Sequence, residues 1–419
     1  MLIAIENTPR DYAWGSTTAI AELLGHAPTG APEAELWLGA HPGSPSRVVG
    51  AAGSGDSAAG ADTLLDVVDG RLPFLLKVLA AATPLSLQAH PTPEQAEAGF
   101  ARENAAGVPE GASDRNYKDA FHKPELIFAL SDPFRALCGF RAVEQTLAVL
   151  EPVAAEARIA PLVERLRGVA DAADEAGAAA DASGGDSGDA RILRSTFEWL
   201  ISGGDDVDAL VAALIEAAAE ADGPSWQTVR QLADHYPGDP GIAISLLINS
   251  VSLSPGEVLY LPAGNIHAYL EGLGIELMAA SDNVLRGGLT PKHVDVPELL
   301  DVLDFEPLPV PYLSPSHPAP GISVFRPDVP DFELTVVADA ALGRGSTLDL
   351  AGPAIILCTD GAVTVTRAVD GSAGGAADAE VAPLERGGAL YVADEPRLEL
   401  QGEGTLFVAS ARSTPVAEG

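Results

Sequence analysis

The chain has 419 residues, 60 of them acidic against 24 basic, for a net charge of −36. A surface this acidic repels nucleic acid and anionic membranes, because no broad basic patch can be assembled, yet a few placed cations can still hold a small anion. An apolar fraction of 47% excludes a disordered chain, and at ~150 residues per domain the length predicts two or three domains.

The N-terminus, MLIAIENTPRDYAWG, has neither a basic region nor a long apolar run, so no signal peptide is expected. No stretch of about 18 uncharged apolar residues predicts a membrane span. Cys138 and Cys358 make no disulfide framework, which fits a reducing cytoplasm. Residues 1–145, broken by Gly and Pro around short apolar runs such as LPFLLKVLA and LIFAL, read as strands and short helices. From about 143 to 235 Ala, Leu and Glu dominate, and AVEQTLAVLEPVAAEA and DALVAALIEAAAEA show helical spacing. Between them GVADAADEAGAAADASGGDSGDA reads as an acidic linker; its Asp spacing imitates a calcium loop but lacks the bidentate Glu that completes one.

From about 245 the chain turns β-rich, with ISLLINSVSLSPGEVLYLPAG alternating toward a turn. A hairpin is predicted next: HAYL, a turn at EGLG, then IELMA. Prolines at 307–320 mark a linker, and short Val-rich strands fill the last hundred residues. PGEVLYLPAG at 255–264 returns as RGGALYVADE at 386–395, an offset of 131 that carries His267 onto Leu398. Two similar β-modules are therefore expected, with polar chemistry only in the earlier one.

Three segments carry that chemistry. In PLSLQAHP, strand alternation puts Ser86, Gln88 and His90 on one face, opposite Leu85, Leu87 and Ala89. In NYKDAFHKPELIFAL, Leu126, Phe128 and Leu130 face one way while Glu125 and Ile127 face the other. An acid there is costly unless paired or metal-bound, and Lys123 lies two residues earlier on its side. In GEVLYLPAGNIHAYL, Gly256, Pro262, Gly264 and His267 resemble the second motif of the cupin superfamily, in which a Pro-Gly turn swings a metal-binding His into a small β-barrel. Glu271 stands where many cupins have Asn. Beyond it, His267 and Tyr269 share a face, as do Glu276 and Met278 on the return strand.

Pooled, Gln88, His90, Glu125 and His267 offer two imidazoles, a carboxylate and an amide oxygen, a set suited to zinc with a further position for water or substrate. His41, His122 and His293 are competing candidates, and Glu94 reads as the first turn of a helix. Asp282, Arg286 and Lys292 cluster in a Gly-bearing loop. The only four lysines of the chain, Lys77, Lys118, Lys123 and Lys292, fall in or just before these segments. A phosphate dianion needs local cations of this kind.

Together, YAWG at 12–15, AELWLGAHP at 34–42, LPFLLKVLAAATPLSLQAHP at 72–91, NYKDAFHKPEL at 116–126 and LPAGNIHAYLEGLGIELMAASDNVLRGGLTPKHVDV at 261–296 resemble type I phosphomannose isomerases in order and spacing. The resemblance implies a mainly-β fold with a helical insertion: two cupin-like β-barrel (jelly-roll) domains, the first metal-binding. The catalytic zinc domain would span 1–142 and 246–306, the insertion 143–245, and a metal-free β domain 307–419. It further implies one zinc ion on Gln88, His90, Glu125 and His267, and Arg286 as a catalytic residue. Glu276 matches a proposed acid/base, with Lys123 and a water on the zinc as the other candidates. Trp14, Lys77, Ser86, Tyr269, Asp282 and Lys292 would line the sugar-phosphate pocket with Lys123.

The implied reaction interconverts mannose 6-phosphate and fructose 6-phosphate through a cis-enediolate. Rival readings are a sugar-phosphate-sensing cupin, which would not need both Glu276 and Arg286; another metal cupin enzyme, which leaves the phosphate cations unexplained; and a fused isomerase–guanylyltransferase, which needs a further nucleotide-binding domain. A small sugar phosphate is the expected partner, without nucleic acid or membrane, for a cytoplasmic monomer with a homodimer as the alternative.

Overall fold

Short, β-branched and leucine-rich runs punctuated by Gly and Pro pair here into two antiparallel sheets. The computed structural model describes residues 1–52, 60–168, 187–367, 380–393 and 397–412. The first strands are β1 (Leu2–Glu6), β2 (Glu35–Leu38), β3 (Arg47–Ala52), β4 (Phe74–Ala81), β5 (Gln88–Ala89), β6 (Glu125–Ala129) and β7 (Phe134–Phe140). After the helical region come β8 (Ile248–Leu253), β9 (Val258–Leu261), β10 (His267–Ala279) and β11 (Leu285–Arg286). The C-terminal strands are β12 (Ser316–Ala319), β13 (Ile322–Phe325), β14 (Glu333–Ala338), β15 (Ser346–Asp349), β16 (Ala354–Arg367), β17 (Val381–Glu385), β18 (Ala389–Val392) and β19 (Arg397–Ser410).

One sheet runs β11-β5-β10-β4-β2, with β6 and β7 also paired along β10, β9 on β6 and β8 on β7. The other runs β12-β13-β14-β19-β16-β18-β1-β3, with β15 on β19 and β17 on β16. The expected fold class holds: mainly β, two cupin-like units and a helical insertion. The N-terminal strands β1 and β3 nevertheless join the sheet built by the C-terminal strands, through β18.

The helical region supplies helices at Val143–Leu150, Ala160–Leu166, Gly188–Ser202, Asp205–Ala218 and Pro224–His235. Their apolar stripes bury Leu193, Phe197 and Leu200 on one and Val207, Leu210 and Leu214 on the next. Phe140 of β7 ties this layer to the sheet, with ring centroids 5.9 Å from Phe197 and 4.9 Å from Phe305. Ser187 caps the Gly188–Ser202 helix by accepting the Ala190 N–H at 3.1 Å. Residues 169–186 of the acidic linker, with its calcium-like Asp spacing, lie outside the described residues.

Strand alternation sorts apolar from charged side chains. Leu76, Val78, Leu126, Phe128, Ile275 and Leu277 face the second sheet, where Phe128 packs edge-on against Phe325 and Phe407 at 5.7 and 5.1 Å. Each such side chain contributes about 1.5–3 kcal/mol of burial. Their neighbours Lys77, Glu125 and Glu276 take the opposite, cavity-facing side, as predicted for β6.

The hairpin predicted at EGLG does not form. Residues 267–279 are one continuous strand, and its register shifts between Tyr269 and Glu271. Gly272 sits there at φ +134°, where an added Cβ would meet the Phe134 ring at 2.6 Å. A glycine therefore reads here as a bulge rather than a turn. The extra residue has a consequence for the site. Glu276 lies nine positions after His267, an odd offset that would place them on opposite faces of a regular strand; the bulge returns both to one side.

The internal repeat is structural as well. Gly256 (φ +94°) and Gly387 (φ +84°) each turn the chain into a four-residue strand, β9 and β18. The offset of 131 also carries β10, 267–279, onto 398–410, the run of β19.

Candidate active site and metal centre

At the cavity-facing end of β10, His267 lies in register with Gln88 on β5, and Gln88 with Arg286 on β11. Residues opposite one another in antiparallel strands share a face, so amide, imidazole and guanidinium form one row. His90, two residues beyond Gln88, and Glu125, the first residue of β6, complete a buried cluster with His267 whose ligand atoms lie within 4.8 Å of one another.

The donor set fits zinc on geometry. The Nε2 atoms of His90 and His267 each lie 3.3 Å from a different oxygen of Glu125. Ligand atoms about 2.0–2.1 Å from a tetrahedral ion stand about 3.3 Å apart. Each imidazole is oriented through its other nitrogen: His90 Nδ1 lies 2.7 Å from the Asn283 carbonyl and His267 Nδ1 3.0 Å from the Asn265 carbonyl. A carbonyl only accepts, so each Nδ1 carries the proton and each Nε2 presents a lone pair. Those Nε2 atoms, and one Glu125 oxygen, are buried without a hydrogen bond. Three orphaned acceptors converging on one point are costly unless a cation completes them. Burial holds the His90 imidazole down to about 4, hence neutral and ready to ligate. Burial alone would push the Glu125 carboxyl up, but the Lys123 ammonium outweighs it and holds it well below the usual range.

Lys123 donates to Glu125 at 2.9 Å. Lys77, paired in register with Glu276, donates to it at 2.9 Å. Burial raises the Glu276 carboxyl; Lys77 opposes, while Glu125 and Glu35 reinforce the rise. The Tyr269 hydroxyl is buried without a hydrogen bond, and Trp14 packs with Leu85 against the cluster that contains Tyr269. Ser86 and Gln88 are half-buried. Arg286, half-buried, makes no ion pair among the described residues. Lys292 is exposed, and its pKa is lowered by burial and by the charge of Arg286. Asp282 is exposed, 3.2 Å from His41, and lines a cavity of about 770 Å³ that includes neither the metal cluster nor the Lys77–Glu276 pair in its lining.

The competing histidines go elsewhere. His41 pairs with Asp282, His122 with Asp331 at 2.8 Å, and His293 is exposed. Glu94 lies in the first turn of the helix Pro93–Ala105, as its sequence context indicates. Three participants escaped the sequence. Asn283 and Asn265 act through backbone carbonyls, which no side-chain pattern reveals. Glu35 sits on β2 on the face shared with Trp37, opposite Leu36 and Leu38; the alternation was visible, but not the strand pairing that brings it to Lys77.

Residues 2–143 match the family profile described as phosphomannose isomerase type I, catalytic domain. The chain is 39% identical to the mannose-6-phosphate isomerase of Escherichia coli (strain K12) over 421 aligned residues, covering 96% of this chain and 97% of that protein. It is 32% identical to the Homo sapiens mannose-6-phosphate isomerase, with 94% and 93% covered. Among solved structures, a point mutant of phosphomannose isomerase from Salmonella typhimurium superposes with a TM-score of 0.81 at 34% identity over 98% of this chain and 99% of that one. A holo, zinc-bound mannose 6-phosphate isomerase superposes with a TM-score of 0.79 at 35% identity, with the same coverage. The chain belongs to the type I phosphomannose isomerase (mannose-6-phosphate isomerase) family.

Proposed function

We propose that this zinc-dependent isomerase interconverts mannose 6-phosphate and fructose 6-phosphate with the residues assembled around His90, Glu125 and His267, and that Gln88 completes the ligand set. The observation that carries this reading is the trio of buried, convergent, unsatisfied ligand atoms set beside the Lys77–Glu276 pair. When bound, zinc supplies a Lewis acid that fixes substrate oxygens and stabilises developing negative charge.

The chain's own residues do the rest. After ring opening, Glu276 takes the C2 proton as the electrons of the C–H bond flow toward the C1 carbonyl, giving a cis-enediolate. It then returns the proton to C1 while the O2 hydroxyl proton passes to O1, leaving a hydroxyl at C1 and the carbonyl at C2. A glutamate serves this role near neutral pH when burial lifts its pKa, which is the direction found for Glu276. Arg286, cationic at all relevant pH and without an ion pair among the described residues, stabilises the enediolate charge. Lys292 and Ser86 hold the phosphate end, and Trp14, Tyr269, Lys77, Lys123 and Asp282 shape the sugar pocket. Lys123 keeps Glu125 ionised for the metal.

The same proposal divides the chain into a catalytic unit at 1–142 and 246–306, an insertion at 143–245 and a β unit at 307–419, with β1 and β3 coupling the first to the last. No described helix is long and apolar enough to cross a membrane. Action in the cytoplasm as a monomer, without nucleic acid, completes the reading; the charge of −36 supports the last point.

The test is aldose–ketose interconversion before and after chelation, with zinc added back. Turnover is expected to vanish with the metal and return with it. Glu276→Gln is expected to lower kcat by about 10²–10⁴ with KM changed far less. Full activity of the chelated protein or of that variant overturns the assignment it addresses.

A further inference from the structure

Two irregular segments meet beside the metal cluster. Residues 281–283 lie between β10, which ends at Ala279, and β11, which carries Arg286; residues 118–121 lie on the approach to Lys123 and Glu125. Neither segment is helix or strand, so their backbone groups need partners from outside a ladder. One side chain meets most of that need. Asn283 Oδ1 accepts the Lys118 N–H at 2.7 Å and the Asp119 N–H at 3.2 Å. Its Nδ2 donates to the Asp119 carbonyl at 2.8 Å and to the Phe121 carbonyl at 2.9 Å. Two donors on one side and two acceptors on the other leave a single orientation for the amide. Asn283 is 0% exposed, so water does not compete for these bonds.

Further bonds join the same two segments. The Asp119 carboxylate accepts the Asp282 N–H and the Ser281 hydroxyl, each at 2.9 Å. Ser281 Oγ in turn accepts the backbone N–H of Asn283 at 3.2 Å. The carbonyl of Asn283, meanwhile, accepts His90 Nδ1–H at 2.7 Å. A backbone carbonyl aims a ligand only as accurately as its own residue is held. Asn283 is held through its N–H and through all four bonds of its amide.

We infer that the Asn283 side chain is a positioning residue for the metal centre. By clamping 118–121 onto 281–283 it fixes the carbonyl that aims His90, and with it the approach from which Lys123 and Glu125 project. Two ligands on separate strands, His90 and Glu125, thereby keep one geometry through a residue that touches neither the ion nor the substrate. Hydrogen-bond partners behind metal ligands typically govern 10–100-fold in affinity. A part in folding alone would show in Tm and leave the affinity of the folded protein unchanged.

This inference rests on His90, Glu125 and His267 as zinc ligands, so the ligand set needs its own arm. Zinc affinity is measured by competition with a chelator of known strength on the full chain, at a temperature where circular dichroism shows each metal-free protein folded. The proteins are the parent, Asn283→Asp, Ser281→Ala, Val408→Ala and His267→Leu. Asn283→Asp keeps the shape, the Oδ1 acceptor and the backbone carbonyl to His90, but turns a carboxylate oxygen toward two carbonyls. Zinc binding is expected to weaken 10–100-fold. The visible bands of the cobalt(II)-loaded protein, which report coordination geometry, are expected to shift with it. Ser281→Ala removes the acceptor of the Asn283 N–H and a donor to Asp119, and about a tenfold loss is expected, the low end of that range. It carries the test if Asn283→Asp does not fold. Val408→Ala trims the core of the C-terminal sheet and should lower Tm with parental zinc affinity. Affinity within twofold of the parent in whichever clamp variant folds, or an equal loss in Val408→Ala, overturns the role of Asn283. Stoichiometric zinc retained by His267→Leu overturns the ligand set instead.

Discussion

The two β units show how one scaffold is made chemical in one copy and inert in the other. In the first, strands β2-β4-β10 run side by side with β6 along β10; in the second, β13-β14-β19-β16 repeat that order. The cavity-facing side chains of β10 include His267, Tyr269 and Glu276, joined by Lys77 of β4 and Glu125 of β6. The inner face of β19 carries Leu398, Leu400, Leu406 and Val408, joined by Val337 of β14 and by Ile356 and Cys358 of β16. Apart from the Cys358 thiol, which burial pushes up to about 11, these side chains are aliphatic and can neither ligate an ion nor move a proton, and together they fill the space that the first unit keeps polar. The backbone pairing is shared; the difference lies in about five inward positions.

The sharpest way to break that contrast is to import one residue across it. His267→Leu places in β10 the residue that β19 has at the matching position, Leu398. Zinc content is expected to fall to near background and turnover by at least ~10³, since even changes behind a ligand weaken metal binding 10–100-fold. Leucine is apolar and of similar bulk, so the circular dichroism spectrum should stay that of the parent. Metal analysis beside the kinetics decides the point, and a variant that keeps stoichiometric zinc would remove His267 from the ligand set.

The reverse import probes stability. Glu125 is tolerated at 1% exposure because Lys123 lies 2.9 Å away and two imidazoles converge on it. Ile356→Glu puts a carboxylate into the inner face of the second unit, which offers neither lysine nor histidine. Leaving a buried charge uncompensated is worth about 3–5 kcal/mol of lost stability, so denaturant titration should show a large fall in midpoint or an insoluble product. A near-parental midpoint would mean that this interior admits water or a counter-ion and is not the dry core drawn above.

How far the sequence discloses this arrangement follows from the same residues. Period-two alternation placed Glu125 opposite Leu126 and Phe128, and chemistry alone grouped Gln88, His90, Glu125 and His267, because buried acids and histidines in apolar strands need a reason to exist. The Gly-turn repeat announced two β units. What stayed hidden depends on register. The bulge near Gly272 looked like a turn, since a glycine that enables a turn and one that enables a bulge are the same letter. Glu35 remained unnoticed because its meaning lies in Lys77, 42 residues away in sequence and one strand away in space. Joining of β1 and β3 to the C-terminal sheet is likewise a long-range pairing that no local pattern encodes.

Charge separates the regions once more, with the smallest expected effect. No lysine follows Lys292, so the C-terminal unit adds to the acidic surface without any of the chain's four lysines. Within the site, Lys77 and Lys123 are already matched to Glu276, Glu35 and Glu125, and contribute little net attraction at a distance. The cations left to meet a dianionic sugar phosphate are Arg286 and Lys292, with Lys118 within reach of the Arg286 charge. An approaching substrate therefore feels the repulsion of a −36 chain long before it feels those few groups. Salt shortens the reach of exposed charge to ~10 Å at 0.1 M, which weakens the distant repulsion more than the close contacts. Raising ionic strength from near zero to ~0.15 M should accordingly raise kcat/KM for mannose 6-phosphate by up to a few-fold, with kcat unchanged. A steep fall over the same range would mean that the local cations, rather than the acidic envelope, govern capture, and that the pocket projects its charge well beyond Arg286 and Lys292.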